Sequence, residues 1–233
     1  MKNVPKHVAI ICDGNRRWAK KKGFESFVGH KAAAENVFEP IVRKASEIGI
    51  KYLTFWVFST ENWGRGENEV SWLMNIFRDF FDKKIGLLDK ENYKVVHIGR
   101  KDRLPKDISE KISYVEEKTK DNTGTVIVLA MDYGGRDEII RGIKKIFKKI
   151  QDKEFEIENL NEENLSQFLD TCEIPDPDLI IRTGGEKRLS GFLLWQQKHS
   201  ELYFTDTLFP DFDVEEFWKA LEDFQKRERR FGS

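Results

Sequence analysis

The chain has 233 residues, 39% of them hydrophobic, and its 40 basic side chains are balanced by 41 acidic ones for a net charge of -1. Near-neutrality argues against nucleic-acid binding by bulk electrostatics, and no apolar run approaches the roughly 18 residues that a membrane-spanning helix needs. Two cysteines without disulfide or metal-ligand spacing, the lack of any signal-like N-terminal stretch, and the absence of a Pro/Gly/Ser-rich linker lead us to expect a reduced, cytoplasmic protein folded as one domain over 1–233.

The first element is a buried-type strand beginning at His7, which runs into Cys12-Asp13-Gly14-Asn15-Arg16-Arg17-Trp18. A glycine turn lets backbone approach an anion, the following helix start points N–H groups at it, and two arginines supply counter-charge. Asp13 would repel a phosphate about 4 Å away by roughly 4 kcal/mol at an effective dielectric near 20. A divalent cation reverses that sign, and magnesium is commonly held by one or two carboxylates plus substrate phosphates. Taken alone, the segment reads equally well as an Asp-Gly-Asn turn with a solvated basic helix start. Cys12 reads as a packing thiol.

A helical pattern follows over Gly29 to Ile48, then a strand over Lys51 to Val57 that ends in Phe58-Ser59-Thr60-Glu61-Asn62-Trp63-Gly64-Arg65. Glu69 to Leu88 carries an apolar stripe of Val70, Leu73, Met74, Phe77, Phe80, Phe81, Ile85 and Leu88, widened by Trp72 and Ile76. Such a stripe is ordinarily a core face. Because it starts beside the Asn62/Arg65 loop, it also suits a ligand with a charged head and a long apolar tail.

Strands are expected at Lys94 to Ile98, Thr125 to Met131 and Asp178 to Ile181, and helices at Ile108 to Lys120, Tyr133 to Ile150 and Val214 to Arg227. Asp152 to Glu163 reads as an acidic surface connection. Strands separated by helices should lie parallel, with their loops converging on one sheet edge. That edge would carry Arg17, Arg65, Arg136, Arg182 and Arg188, enough for more than one phosphate group.

The segments HVAIICDGNRRWAK, Gly29-His30, FSTENW, DYGGRDE, DLIIRTGGEKRLSGFLLWQ and ELYFTDTLFPDF occur in the order seen in cis-prenyltransferases, the family that includes undecaprenyl diphosphate synthase. The chain resembles that family from His7 to about Gly232. The resemblance implies an α/β fold with an open, mostly parallel sheet flanked by helices and an apolar product tunnel. It implies an enzyme that condenses isopentenyl diphosphate with an allylic diphosphate such as farnesyl diphosphate, assisted by Mg2+, to make a Z-polyprenyl diphosphate. A homodimer making a cell-wall lipid carrier, with peripheral membrane contact at product release, is implied as well.

Carried over by position, Asp13 resembles the catalytic aspartate that handles magnesium. Gly14, Asn15, Arg16 and Arg17 would cradle the allylic diphosphate, with Trp18, Ser26 and His30 beside it. Ser26 and Arg16 depart from the residues common at their positions, arginine and glycine. Arg182, Arg188, Leu189 and Ser190 would hold isopentenyl diphosphate, with Lys187 nearby. Ser59, Thr60, Glu61, Asn62, Trp63 and Arg65 match the motif at the reacting ends. Asn62 is the family's proposed proton acceptor, but an amide is a poor base and serves better as a positioning group. Glu201 resembles a second metal ligand near the subunit interface, and Arg230-Phe231-Gly232 a tail motif that reaches substrate phosphates. A short-chain synthase and a non-catalytic partner subunit are the alternatives, though a partner of that kind would lack Asp13 and much of the phosphate machinery.

Overall fold

The computed structural model describes residues 3–227 of the chain. Six parallel strands form one sheet in the order β3-β4-β2-β1-β5-β6. They are β1 (His7–Ile11), β2 (Tyr52–Ser59), β3 (Lys94–Ile98), β4 (Val126–Tyr133), β5 (Leu179–Arg182) and β6 (Glu201–Phe204). The central strand β1 is buried along its whole length, which is why its sequence is a continuous apolar run and not an alternation. The first five strands and the parallel arrangement are as expected. The sixth, β6, is a four-residue edge strand whose residues are all partly exposed, too short and too weakly patterned to announce itself.

Alternate residues supply the two sheet faces. Val8, Ile10, Leu53, Phe55, Leu129 and Ile181 enter the larger core, shared with helices α2 (Ser26–Asn36), α3 (Phe38–Glu47), α4 (Glu67–Lys90), α5 (Lys106–Thr119) and α8 (Val214–Lys226). Ala9, Ile11, Val128, Ala130 and Ile180 face the other way, against Tyr133, Ile174, Phe192 and Leu193. Two further helices are α6 (Gly135–Gln151) and α7 (Glu162–Ser166), and α1 (Asn15–Lys21) follows β1 directly.

The helical pattern expected over Gly29 to Ile48 is two helices. Pro40 lacks the N–H that would bond Asn36, and its ring would strike that carbonyl, so α2 ends at Asn36 and α3 starts anew at Phe38. In chain order the path moves from β1 to one side through β2, β3 and β4, then crosses to β5 on the other side. The loops after β1 and β5 therefore diverge, leaving a crevice at their carboxyl ends, where open α/β sheets bind ligands. No helix among the described residues is long and apolar enough to cross a membrane.

Candidate active site

Asp13 stands in the β1/β5 crevice, held from both sides. Arg182 Nη2 donates to its Oδ2 at 2.9 Å and Arg17 Nη2 to its Oδ1 at 3.1 Å. The turn itself is clamped by Thr183, whose hydroxyl accepts from the Asp13 N–H (3.0 Å) and donates to the Asp13 carbonyl (2.7 Å). Gly14 has φ 109, and a Cβ there would lie 2.9 Å from the Leu208 side chain, so only glycine serves. Gly29 is required by contact: a Cβ would come within 2.0 Å of the Asn15 carbonyl oxygen. The close approach of α2 to α1 that this permits sets His30 beside Asn15.

Two adjoining cavities open here. One, of about 680 Å3, is polar and basic, lined by Gly14, Asn15, Arg16, Arg17, Lys20, Ser26 and Arg65. The other, of about 380 Å3, has Asp13, Asn62, Arg182, Arg188 and Ser190 at one part of its wall and Phe38, Phe55, Phe58, Phe77, Phe80 and Phe81 at another. Cys12, Asp13, Asn15, His30 and Arg65 line both. Among the described residues, three of the four buried side chains with an unpartnered polar atom are here, through Asn15 Oδ1, His30 Nε2 and Arg182 Nε. Buried polar groups are ordinarily satisfied, so these orphans mark a place built for a polar ligand.

Electrostatics point the same way. Burial, reinforced by the charges of Arg65 and Arg16, depresses the His30 pKa to about 3, so the imidazole is neutral. Burial and the neighbouring Asp13 push the Cys12 thiol well up, which removes it as a nucleophile. Arg182 is 6% exposed, and besides Asp13 it donates to Ser190 Oγ (2.9 Å) and to the Arg188 carbonyl. Glu186 reaches Arg188 (2.5 Å) and lies 3.9 Å from Arg17. Asn62 accepts the Ser59 N–H through Oδ1 at 3.0 Å. This fixes the amide orientation and leaves its NH2 as the polar group not committed to that bond.

Several expected residues have other work. Trp18 donates to Asp211 (2.7 Å) and lies under the Lys22 ammonium, and Trp63 donates to the buried Asp132 (2.9 Å), so neither indole lines a cavity. The Thr60 hydroxyl lies 2.5 Å from where a Gly134 Cβ would be, tying the Ser59-to-Arg65 loop to the end of β4. Leu189 packs into the smaller core, and Arg136 and Lys187 are exposed away from both cavities. Glu201 also lies away from both cavities. It pairs with Leu179 at the start of β5, three residues and about 10 Å of strand before Arg182, and binds Arg227 at 2.8 Å. Within one chain it cannot share an ion with Asp13. The Arg230-Phe231-Gly232 tail lies outside the described residues.

Among the described residues, no group of three or more His, Cys, Asp or Glu could hold a metal. A single carboxylate facing a basic, phosphate-sized mouth nevertheless suits Mg2+, which takes few protein ligands and completes its octahedron with phosphate oxygens and water. Residues missed from the sequence include the aromatic floor, Phe38 and Phe55, and the clamp Thr183. Their signal was only a place in apolar runs or beside Arg182.

Comparison with known proteins finds relatives along the whole chain. A family model described as "Putative undecaprenyl diphosphate synthase" matches residues 11–232. An isoprenyl transferase of Treponema denticola is 47% identical over the full length of both chains, and one of Thermotoga maritima is 48% identical, covering 98% of this chain and 97% of its own. A crystal structure of lavandulyl diphosphate synthase from Lavandula x intermedia with dimethylallyl diphosphate superposes with TM-score 0.95 at 39% identity, covering 99% of each chain. That of a probable undecaprenyl diphosphate synthase from Campylobacter jejuni gives 0.80 at 38%, covering 99% of this chain and 100% of its own.

Proposed function

The chain belongs to the undecaprenyl diphosphate synthase family of prenyltransferases, and from that premise we propose that it condenses isopentenyl diphosphate with an allylic diphosphate, farnesyl diphosphate being the first candidate, to build a Z-polyprenyl diphosphate. The observation that carries this reading is one cavity with two chemistries: cations and orphaned polar atoms around Asp13, and an aromatic body sized for an isoprenoid.

In this reading Gly14, Asn15, Arg16, Arg17 and Ser26 hold the allylic diphosphate in the basic cavity, and the first N–H groups of α1 face it. Arg182, Arg188 and Ser190 hold the diphosphate of isopentenyl diphosphate. Asp13 and the substrate phosphates would hold Mg2+, which when bound supplies Lewis-acid stabilisation of charge on the departing diphosphate. Arg17, which bonds Asp13 Oδ1 at 3.1 Å and lines the basic cavity, would stabilise that charge together with the backbone N–H groups of the turn. The phenylalanines exclude water from the carbocation and offer it their π-faces. Asn62 positions the new chain end through its NH2, and released diphosphate or water takes the proton.

The aromatic cavity is the start of the product tunnel. A homodimer is part of the proposal: Ile140, Ile143 and Phe147 form a stripe at helical spacing on α6, each about half exposed, which a second copy would cover. A long product would leave by way of a membrane surface. The test is incubation of purified protein with magnesium, isopentenyl diphosphate and geranyl, farnesyl or geranylgeranyl diphosphate in turn, with mass spectrometry of the dephosphorylated products. Ladders spaced by five carbons support the reading, and no incorporation with any primer rejects it.

A further inference from the structure

Asp132, near the end of β4, is fully buried and lines neither cavity. Its backbone has φ 50, a left-handed conformation that aspartate tolerates better than most side chains do. The carboxylate is filled from two directions. Arg103, in the loop between β3 and α5, donates through Nε to Oδ2 at 2.9 Å and through Nη2 to Oδ1. Trp63 donates its indole N–H to Oδ1 at 2.9 Å. One carboxylate therefore joins three segments that are far apart in the chain: the end of β4, the loop after β3 and the turn Asn62–Gly64.

A buried ion pair contributes little net stability, and apolar residues of similar volume often do as well or better. What it supplies here is a fixed position for Trp63. The indole also meets Phe58 edge-on, with centroids 5.1 Å apart, and Phe58 lines the aromatic cavity. Nearer the start of the same loop, the Thr60 N–H donates to the Tyr133 carbonyl at 3.2 Å. Between these two anchors stand only Glu61 and Asn62, and both line the aromatic cavity. Because Asn62 Oδ1 is committed to the Ser59 N–H, the direction of its NH2 follows the backbone of the turn. Arg65, just beyond the turn, is secured separately by Glu69 at 2.8 Å.

We propose that Asp132, with Arg103 as its counter-ion, is a positioning residue for prenyl transfer: through the Trp63 indole it fixes the turn that carries Asn62, and so the amide that faces the new chain end. The proposal rests on the prenyl-transfer reading above and adds two residues that lie outside both cavities.

Three variants test it. Trp63→Phe removes the indole N–H and keeps both members of the ion pair, Asp132→Ala removes the acceptor, and Asp132→Asn gives an oxygen back to it. A misplacement of about 1 Å can lower a rate by about a hundredfold. With magnesium, farnesyl diphosphate and isopentenyl diphosphate, Trp63→Phe and Asp132→Ala should each lower kcat for the first addition by about tenfold or more, with both KM values within about threefold of the wild type. Asp132→Asn should recover most of that loss. The deciding measurement is a double-mutant cycle in single turnovers with excess enzyme. In an Asn62→Ala background, itself slower than the wild type, Trp63→Phe should lower the rate by less than about a further twofold, because its effect passes through Asn62. Equal losses in the two backgrounds overturn the proposal, as does a wild-type kcat in Trp63→Phe or an Asp132→Asn variant no faster than Asp132→Ala. Should Asp132→Ala fail to fold by circular dichroism, Trp63→Phe and the cycle decide. Failure of the wild-type chain to incorporate isopentenyl diphosphate at all would instead reject prenyl transfer.

Discussion

Arg182 donates to Asp13 at 2.9 Å from 169 positions away in the chain, across the crevice between β1 and β5. The guanidinium is nearly buried, and the carboxylate is 29% exposed and turned toward the basic mouth. One residue is thus locked in place and the other is presented to a ligand. If Asp13 handles the metal, Asp13→Ala should lower turnover by about a hundredfold or more, as loss of a group aimed at transition-state charge does. Circular dichroism should remain native, and a chelator should do the same to the wild type. Near-normal turnover by the variant would remove Asp13 from the mechanism.

The two arginines after β5 should separate the two substrates. Arg182→Ala and Arg188→Ala each delete a charge-assisted contact worth roughly 1.5 to 3 kcal/mol, about 10- to 150-fold in affinity. The KM for isopentenyl diphosphate should rise by that factor and the KM for the allylic substrate by much less. Equal increases would show that the two diphosphates have been assigned the wrong way round.

Val57 bears on chain length. It is skipped in the β2/β4 pairing, between Trp56, opposite Ala130, and Phe58, opposite Met131. An irregularity of this kind re-aims a side chain, and Val57 lines the aromatic cavity. With about 0.8 kcal/mol gained per buried methylene, each five-carbon unit admitted contributes on the order of 3 kcal/mol or more. Val57→Ala should shift products toward longer chains with little change in initial rate. An identical product distribution from a stable variant would dismiss Val57 as a length determinant.

Acid should loosen the fold through its histidines. Burial holds the pKa of His7 and His97 at about 4 and that of His30 at about 3, below their ordinary 6.5. As pH falls below 6.5 the unfolded chain takes up protons that the folded chain refuses. The stability these neutral rings represent is therefore complete above pH 6.5 and is lost on the way down to their folded values. Urea melts between pH 6.5 and 5 should show a falling midpoint. In His30→Gln the slope should be shallower by up to about 1.4 kcal/mol per pH unit. An unaltered slope would mean that His30 is protonated in the folded state too.

Local sequence determined the strands, because parallel strands buried on both faces must be continuous apolar runs, and it determined the loop at Asp13, because only glycine tolerates φ 109 and an approach as close as that to Leu208. It also carried the family, through motifs spread along nearly the whole chain. Tertiary packing decided which motif residues share a site. Trp18 and Trp63 read as ligand groups in sequence, but each indole N–H found a carboxylate from a distant segment, Asp211 and Asp132, and buried or half-buried donors take such partners when they are offered. Glu201 follows from strand direction. Four residues of β6 place its carboxylate at the opposite end of the sheet from Asp13, a separation that no spacing along the chain reveals, since it is fixed only when β6 pairs with β5.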